Sequence, residues 1–206
     1  KTRWFAECGW GVLCHYLGAA PSSDGGRELT AEAWSRQVDA VDVPALARQL
    51  QAAGARYFFI TLGQNSGHYL APNAAYDRYV GIRPSKCSRR DLVADLYDAL
   101  HPLGISLLAY LPSGAPAADP VAMERLGWQW GFEGAWPDAW NTRRTGKRLA
   151  EFQRRWEDVI REWSLRWGEK VRGWWIDGCY FADEMYRHED EPNFRSLAGA
   201  LRAGNP

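Results

Sequence analysis

The stretch GWWIDG, Gly173 to Gly178, decides how the rest of this chain is read. A short apolar run breaks there at one carboxylate, Asp177, and a glycine follows at once. Entered from a long helical pattern and ended by Asp-Gly, such a run reads as a buried parallel strand that delivers an acid to the C-terminal edge of a sheet. In α/β proteins that edge is where ligands bind and chemistry is done, so Asp177 is the first candidate for a catalytic carboxylate. Asp-Gly between apolar runs is also a hairpin signal, and WWIDGCYF taken alone admits a two-residue turn. The upstream alternation of strand with helix calls for crossover connections and favours the parallel reading.

That alternation begins with WGVLCHYLG, whose apolar run from Val12 to Tyr16 predicts a strand with His15 near its C-terminal end. Residues Ala19 to Asp39, rich in Gly, Ser, Pro and Ala, read as a polar loop or insertion. Asp42 is placed to cap a helix over about 43–53, which Gly54 ends. YFFITL, Tyr57 to Leu62, is apolar on both faces, as a covered parallel strand requires, and it runs into GQNSGHY with Gln64, Asn65, Ser66 and His68. Ser88 and Asp91 form a capping-box-like start for a helix over about 89–100. SLLAYL, Ser106 to Leu111, is the third strand, broken by Pro112 and Gly114.

From Ala115 to Asn141 the pattern is irregular and aromatic, with Trp128, Trp130, Phe132, Trp136 and Trp140; it reads as a lid or binding wall, or as a small satellite core. Phe152, Trp156, Val159, Ile160, Trp163 and Trp167 then recur at helical spacing until Gly168, the clearest helix in the chain. After Cys179 come an acidic loop with Asp183, Glu184, Glu189 and Glu191 and a last helix over about 192–203. Strand starts near Val12, Tyr57, Ser106 and Gly173 give four β/α units. The class is α/β, either a small open sheet or half of an eight-stranded barrel.

Lysine plus arginine and aspartate plus glutamate number 25 each in 206 residues, so no net field recommends nucleic acid or an anionic membrane, and no apolar run is long enough to span a bilayer. A small neutral molecule or oligosaccharide fits better as the partner. Neither signal peptide nor initiator methionine opens the chain at Lys1, which points to a piece of a longer protein. Cys8, Cys14, Cys87 and Cys179 show no C-x-x-C pair and no zinc spacing, and read as free thiols, Cys14 and Cys179 as buried small apolar residues. The 12 tryptophans are the compositional outlier. An indole offers an apolar face and one donor, which suits both sugar rings and core packing.

Four segments in order resemble glycoside hydrolase family 29, the α-L-fucosidases. WFAECGWGVLCHYLG is similar to the family's first strand, a Trp-Phe start followed by a Phe-Gly-Ile-Phe-x-His-Trp-Gly-like run, with His15 at the sugar-binding histidine. VDVPALARQLQAAGARYFFITL resembles its first helix and second strand, SRRDLVADLYDAL its arginine-aspartate helix, and GWWIDG the strand that bears its nucleophile. Where the family has Lys-His-His-Asp-Gly, this chain has Gly63, Gln64, Asn65, Ser66 and Gly67, and Tyr16 stands where the family has Trp after the histidine. Two amides thus replace two sugar-contacting histidines.

The resemblance implies a (β/α)8 TIM-barrel type fold of which residues 1–206 form about the first four β/α units, a partial catalytic domain continued in a longer, secreted or periplasmic parent. It implies retaining hydrolysis of a terminal sugar with no cofactor and no metal, Asp177 serving as nucleophile. His15, Gln64, Asn65 and His68 would bind hydroxyls, and Trp136 or Trp140 would stack on a ring. Glu133, Asp183 and Glu184 are the candidates for acid/base, each alternatively a solvated loop charge. His15 alternatively packs as a strand histidine. Three rival readings stand beside the fucosidase: a carbohydrate-binding pseudoenzyme, a glycosidase for a sugar other than fucose, and a structural fragment that needs the rest of a barrel.

Overall fold

Among the described residues four strands lie in sequence order and all in parallel: β1 (Val12–Cys14), β2 (Tyr57–Thr61), β3 (Ser106–Pro112) and β4 (Trp174–Asp177). The computed structural model describes residues 3–18, 29–129, 147–179 and 185–205. Between and around the strands run α1 (Arg3–Glu7), α2 (Ala31–Asp39), α3 (Val43–Ala52), α4 (Ala74–Val80), α5 (Leu92–Leu100), α6 (Pro120–Leu126), α7 (Ala150–Trp167) and α8 (Phe194–Leu201). Parallel pairing requires that each strand be followed by a crossover, which the helices supply. Among the described residues no helix is long and apolar enough to cross a membrane.

Register assigns the two faces of the sheet. Leu13 pairs with Phe59, Phe59 with Leu108, Thr61 with Tyr110, Tyr110 with Trp175 and Pro112 with Asp177, so these residues share one face. The alternate set, with Phe58, Ile60, Leu107, Ala109 and Leu111, joins the helices in one continuous buried core. On the first face Phe59, Leu108 and Tyr110 are buried, whereas Leu13 is 40% exposed and Trp175 48% exposed. Phe5 of α1 closes the lower end of that face against Tyr57 and Phe59, at ring-centroid distances of 4.8 and 6.3 Å.

The structure therefore corrects the expected burial of GWWIDG. The strand is parallel, as its apolar composition predicts, but it is an edge strand of this chain, with Trp175 open on the inner face. Four helices lay outside the sequence expectation, the short α1 among them. The segment 19–39, expected as a loop, contains α2, whose N-cap Thr30 accepts from the Ala33 amide and which buries Trp34 and Val38; residues 19–28 lie outside the described set. Its Gly- and Ser-rich beginning masked a short amphipathic pattern. Asp119 likewise caps α6 inside the irregular stretch after β3, and Asn73 caps α4. The helix after Ser88 starts later than the capping-box reading placed it: Asp91 is the cap of α5, and Ser88 Oγ accepts from the Arg90 amide instead.

The tryptophans of α7 are structural. Trp156, Trp163 and Trp167 are buried, and their indoles donate to the Pro112 carbonyl (3.1 Å), the Pro72 carbonyl (3.1 Å) and the Asp91 carboxylate (3.1 Å). Trp34 does the same for the Tyr69 carbonyl at 2.9 Å. All four cysteines are free; Cys87 is the fully buried one, while Cys14 and Cys179 are only half-buried.

On the other side of α7, Glu157 accepts from Gln153 Nε2 and Ser196 Oγ, both at 2.7 Å, at the contact with α8. Burial pushes its carboxyl up from the ordinary value, and the bonds from Ser196 and Gln153 and the charge of Arg161 oppose that push. The folded state therefore holds this proton more tightly than the unfolded chain does. The stability contributed by the neutral form is present at low pH and is lost as pH rises through the raised folded-state value. A Glu157→Gln variant keeps the acceptor and cannot ionise, so its melting temperature relative to the native protein should climb between about pH 4 and about pH 7 in a thermal-melt series. A flat difference would show that the charge is already compensated.

Candidate functional site

The strand ends meet at one edge of the sheet, and each is held by its neighbour. Thr61, the last residue of β2, is buried and bonds His15 just past β1, Oγ1 to Nδ1 at 2.7 Å. This fixes the imidazole by one nitrogen while His15 stays exposed. Its ring stands edge-on to Tyr110 of β3 at 5.0 Å. Tyr110 Oη donates to Asp177 Oδ2 at 2.5 Å, a short bond of the kind made to a charged acceptor. Gln64 Nε2, in the loop after β2, reaches the same phenol oxygen at 3.5 Å, the outer limit of hydrogen bonding.

Asp177 itself is half-buried, on the same face as Trp175, whose ring lies 5.9 Å from Tyr110 and 5.8 Å from Phe59. The arrangement is a carboxylate with one oxygen tied down, over an aromatic floor, beside an anchored imidazole. It can present the second oxygen to an electrophile and can offer His15 and Gln64 to hydroxyl groups. Among the described residues, no cluster of three His, Cys, Asp or Glu side chains could hold a metal ion.

The remaining sequence candidates fall elsewhere. His68 is 2% exposed, its ring against Trp34 at 5.8 Å, and a Cβ at Gly18 would come within 3.0 Å of its own Cβ. It sits in the packed interior under the chain leaving β1, away from the open edge, because the loop after β2 turns back into the core at Tyr69 and Leu70. Asn65 is exposed, and its carbonyl accepts from the Ala118 amide at 2.8 Å. Trp136, Trp140, Glu133, Asp183 and Glu184 lie outside the described residues.

Two contributors were missed from the sequence. Thr61 and Tyr110 occupy alternate positions in strands read only as apolar, and the register that brings them beside His15 and Asp177 is a tertiary fact. The signal available was the hydroxyl-bearing pair itself, at the C-terminal ends of YFFIT and SLLAY.

Beneath the site the loop after β2 is anchored by an ion pair. Lys86 Nζ meets Asp119 Oδ2 at 2.8 Å and the Ser66 carbonyl at 3.4 Å, and the Asp119 side chain is 2% exposed. Gly67 lies against that carboxylate in a left-handed conformation (φ +76°), and a Cβ there would approach Asp119 Oδ2 to 2.6 Å.

No protein-family model matches the sequence, and neither does any curated protein. Solved structures do match in fold. An α-L-fucosidase of glycoside hydrolase family 29 from Bacteroides thetaiotaomicron aligns over 87% of this chain and 41% of its own, at 20% identity and a TM-score of 0.55. A Bacteroides thetaiotaomicron family 29 enzyme trapped as a covalent intermediate with 2-fluoro-fucosyl fluoride aligns over 85% and 40%, at 20% identity and 0.53. A family 29 member from an unknown rumen bacterium aligns over 97% and 33%, at 20% identity and 0.53. The chain thus spans about 40% of the length of the fucosidases it matches, and at this identity the likeness is one of fold.

The Lys86–Asp119 pair gives a direct test of the loop anchor. Asp119→Asn retains the cap of α6 and a hydrogen-bond acceptor but removes the carboxylate charge that faces Lys86. The expected loss is about 1–3 kcal/mol of stability in urea unfolding. A loss below about 1 kcal/mol would show that solvent reaches the lysine.

Proposed function

We propose that this chain is the first half of a retaining glycoside hydrolase barrel of the α-L-fucosidase type, in family 29, and that Asp177 is its nucleophile. The observation that carries the reading is the Asp177 carboxylate at the C-terminal edge of the parallel sheet, bonded through Oδ2 by Tyr110, whose ring and hydroxyl His15 and Gln64 in turn contact. Its support is the shared fold with family 29 enzymes, one of which was trapped as a covalent intermediate and another crystallised with an iminocyclitol inhibitor.

In this mechanism Oδ1 of Asp177 attacks the anomeric carbon while a carboxylic acid gives its proton to the leaving oxygen, and the sugar becomes an ester of Asp177. Water, deprotonated by the same acid/base, then displaces Asp177 from that carbon and restores the free carboxylate. Retention asks that the two carboxyls stand about 5–5.5 Å apart. Glu133, Asp183 and Glu184 are the acid/base candidates within the chain. Tyr110 would steady the carboxylate, and His15 with Gln64 would take ring hydroxyls.

Gln64 and Asn65, amides where the family has histidines, favour a second reading: a carbohydrate-binding pseudoenzyme, or a glycosidase for a sugar other than fucose. Hydrolysis of aryl α-L-fucosides, galactosides and related glycosides by the longest available form of the protein separates these. One substrate should turn over, Asp177→Gly should lose on the order of a thousandfold in kcat, and azide should restore part of it by forming a glycosyl azide. Tyr110→Phe should lower kcat by about tenfold to a hundredfold, the worth of one charge-assisted hydrogen bond. Sugar binding without turnover would establish the pseudoenzyme.

A further inference from the structure

The turn after Asp177 is held from the neighbouring strand by one residue. Ser113, immediately past β3, is 2% exposed. Its amide donates to the Asp177 carbonyl at 2.7 Å, its Oγ donates to the Gly178 carbonyl at 2.7 Å, and its own carbonyl accepts from the Tyr186 hydroxyl at 3.2 Å. The Ser113 hydroxyl also interacts with the Cys179 thiol, drawing it down against the larger upward push of burial. Gly178 has φ +74°, so the chain changes course directly after the carboxylate, at a point where a strand would otherwise keep its carbonyls paired along the ladder. β4 ends at Asp177, and beyond it the serine side chain supplies the bond that the ladder does not.

We infer that Ser113 is a positioning residue: its hydroxyl fixes the Asp177–Gly178 turn so that Oδ2 meets Tyr110 and Oδ1 faces the substrate. Ser113 acts through the backbone of Asp177 and touches no reacting atom. The inference rests on Asp177 being the nucleophile. Its physical content is the tolerance of displacement geometry, since a misplacement of about 1 Å can cost on the order of a hundredfold in rate.

Ser113→Ala removes the side-chain bonds and leaves the amide bond to Asp177, and Ser113→Thr keeps the hydroxyl. In the longest available form of the protein, on the substrate identified above, Ser113→Ala should lower kcat by about tenfold with KM changed less than about twofold, and Ser113→Thr should stay within about twofold of native. A second readout needs no turnover: amide hydrogen exchange of the peptide spanning 174–179 should quicken by about threefold to tenfold in Ser113→Ala and not in Ser113→Thr, with peptides of α7 unchanged.

The inference is overturned by an unchanged exchange rate. It is overturned equally by faster exchange with native kcat, by a kcat loss that threonine does not restore, or by exchange that rises across α7 as well, which would mark a general loss of stability. If the native protein hydrolyses no glycoside, the nucleophile reading fails by itself, and the clamp on the turn is judged by exchange alone.

Discussion

The loops that leave β2 and β3 turn back beneath α7, and their backbone carbonyls must find donors away from water. An orphaned buried carbonyl costs about 1–3 kcal/mol, a large part of the margin of a small domain. Helix α7 supplies the donors as indoles, which add a large apolar surface to each N–H. Trp156 reaches the end of β3, Trp163 the loop after β2, and Trp167 the cap of α5. Glu162, on the same helix, accepts from the Ala74 and Ala75 amides at the start of α4, at 2.7 and 2.6 Å. One helix thus pins the end of β3, the loop after β2 and the starts of two helices. This use accounts for three of the 12 tryptophans without any carbohydrate role.

Pinned loops let short strands carry a site. Three- to five-residue strands give few ladder bonds, and the side chains at their ends would wander if each depended on its own strand. Instead each group is held by the strand beside it: His15 by Thr61, and Asp177 by Tyr110 through its side chain and by Ser113 through its backbone. The inner face divides accordingly. Its middle, Phe59, Leu108 and Tyr110, is closed, and Leu13 and Trp175 on the two outer strands stay open.

Long periodic or fully apolar segments were legible as they stood. The four strands, α3, α5 and α7 follow from YFFITL, SLLAYL, the Asp42 cap, the leucine spacing after Ser88 and the Phe152 to Trp167 stripe, although α5 starts later than read, at the Asp91 cap. Short helices were not, because α1, α2, α4 and α6 have between five and nine residues and give barely two turns of pattern. Thr30, Asn73 and Asp119 announced three of them, but a capping residue without a following stripe is also a loop residue. Of the residues expected to bind hydroxyls, His15 and Gln64 contact Tyr110, which bonds Asp177, whereas His68 is packed against Trp34.

By itself the sequence determined the parallel α/β class, the order of its units and the placing of one carboxylate at the end of a strand. Those properties depend on local pattern: apolar runs, caps and glycine stops fix each element without reference to any other. Only the tertiary structure decided which strand is an edge, that Tyr110 and Ser113 hold Asp177, and that His68 lies inside while His15 lies out. Pairing register and loop return set these, and both arise from contacts between residues some fifty to ninety positions apart, such as Tyr110 with Asp177 and Asn73 with Val159.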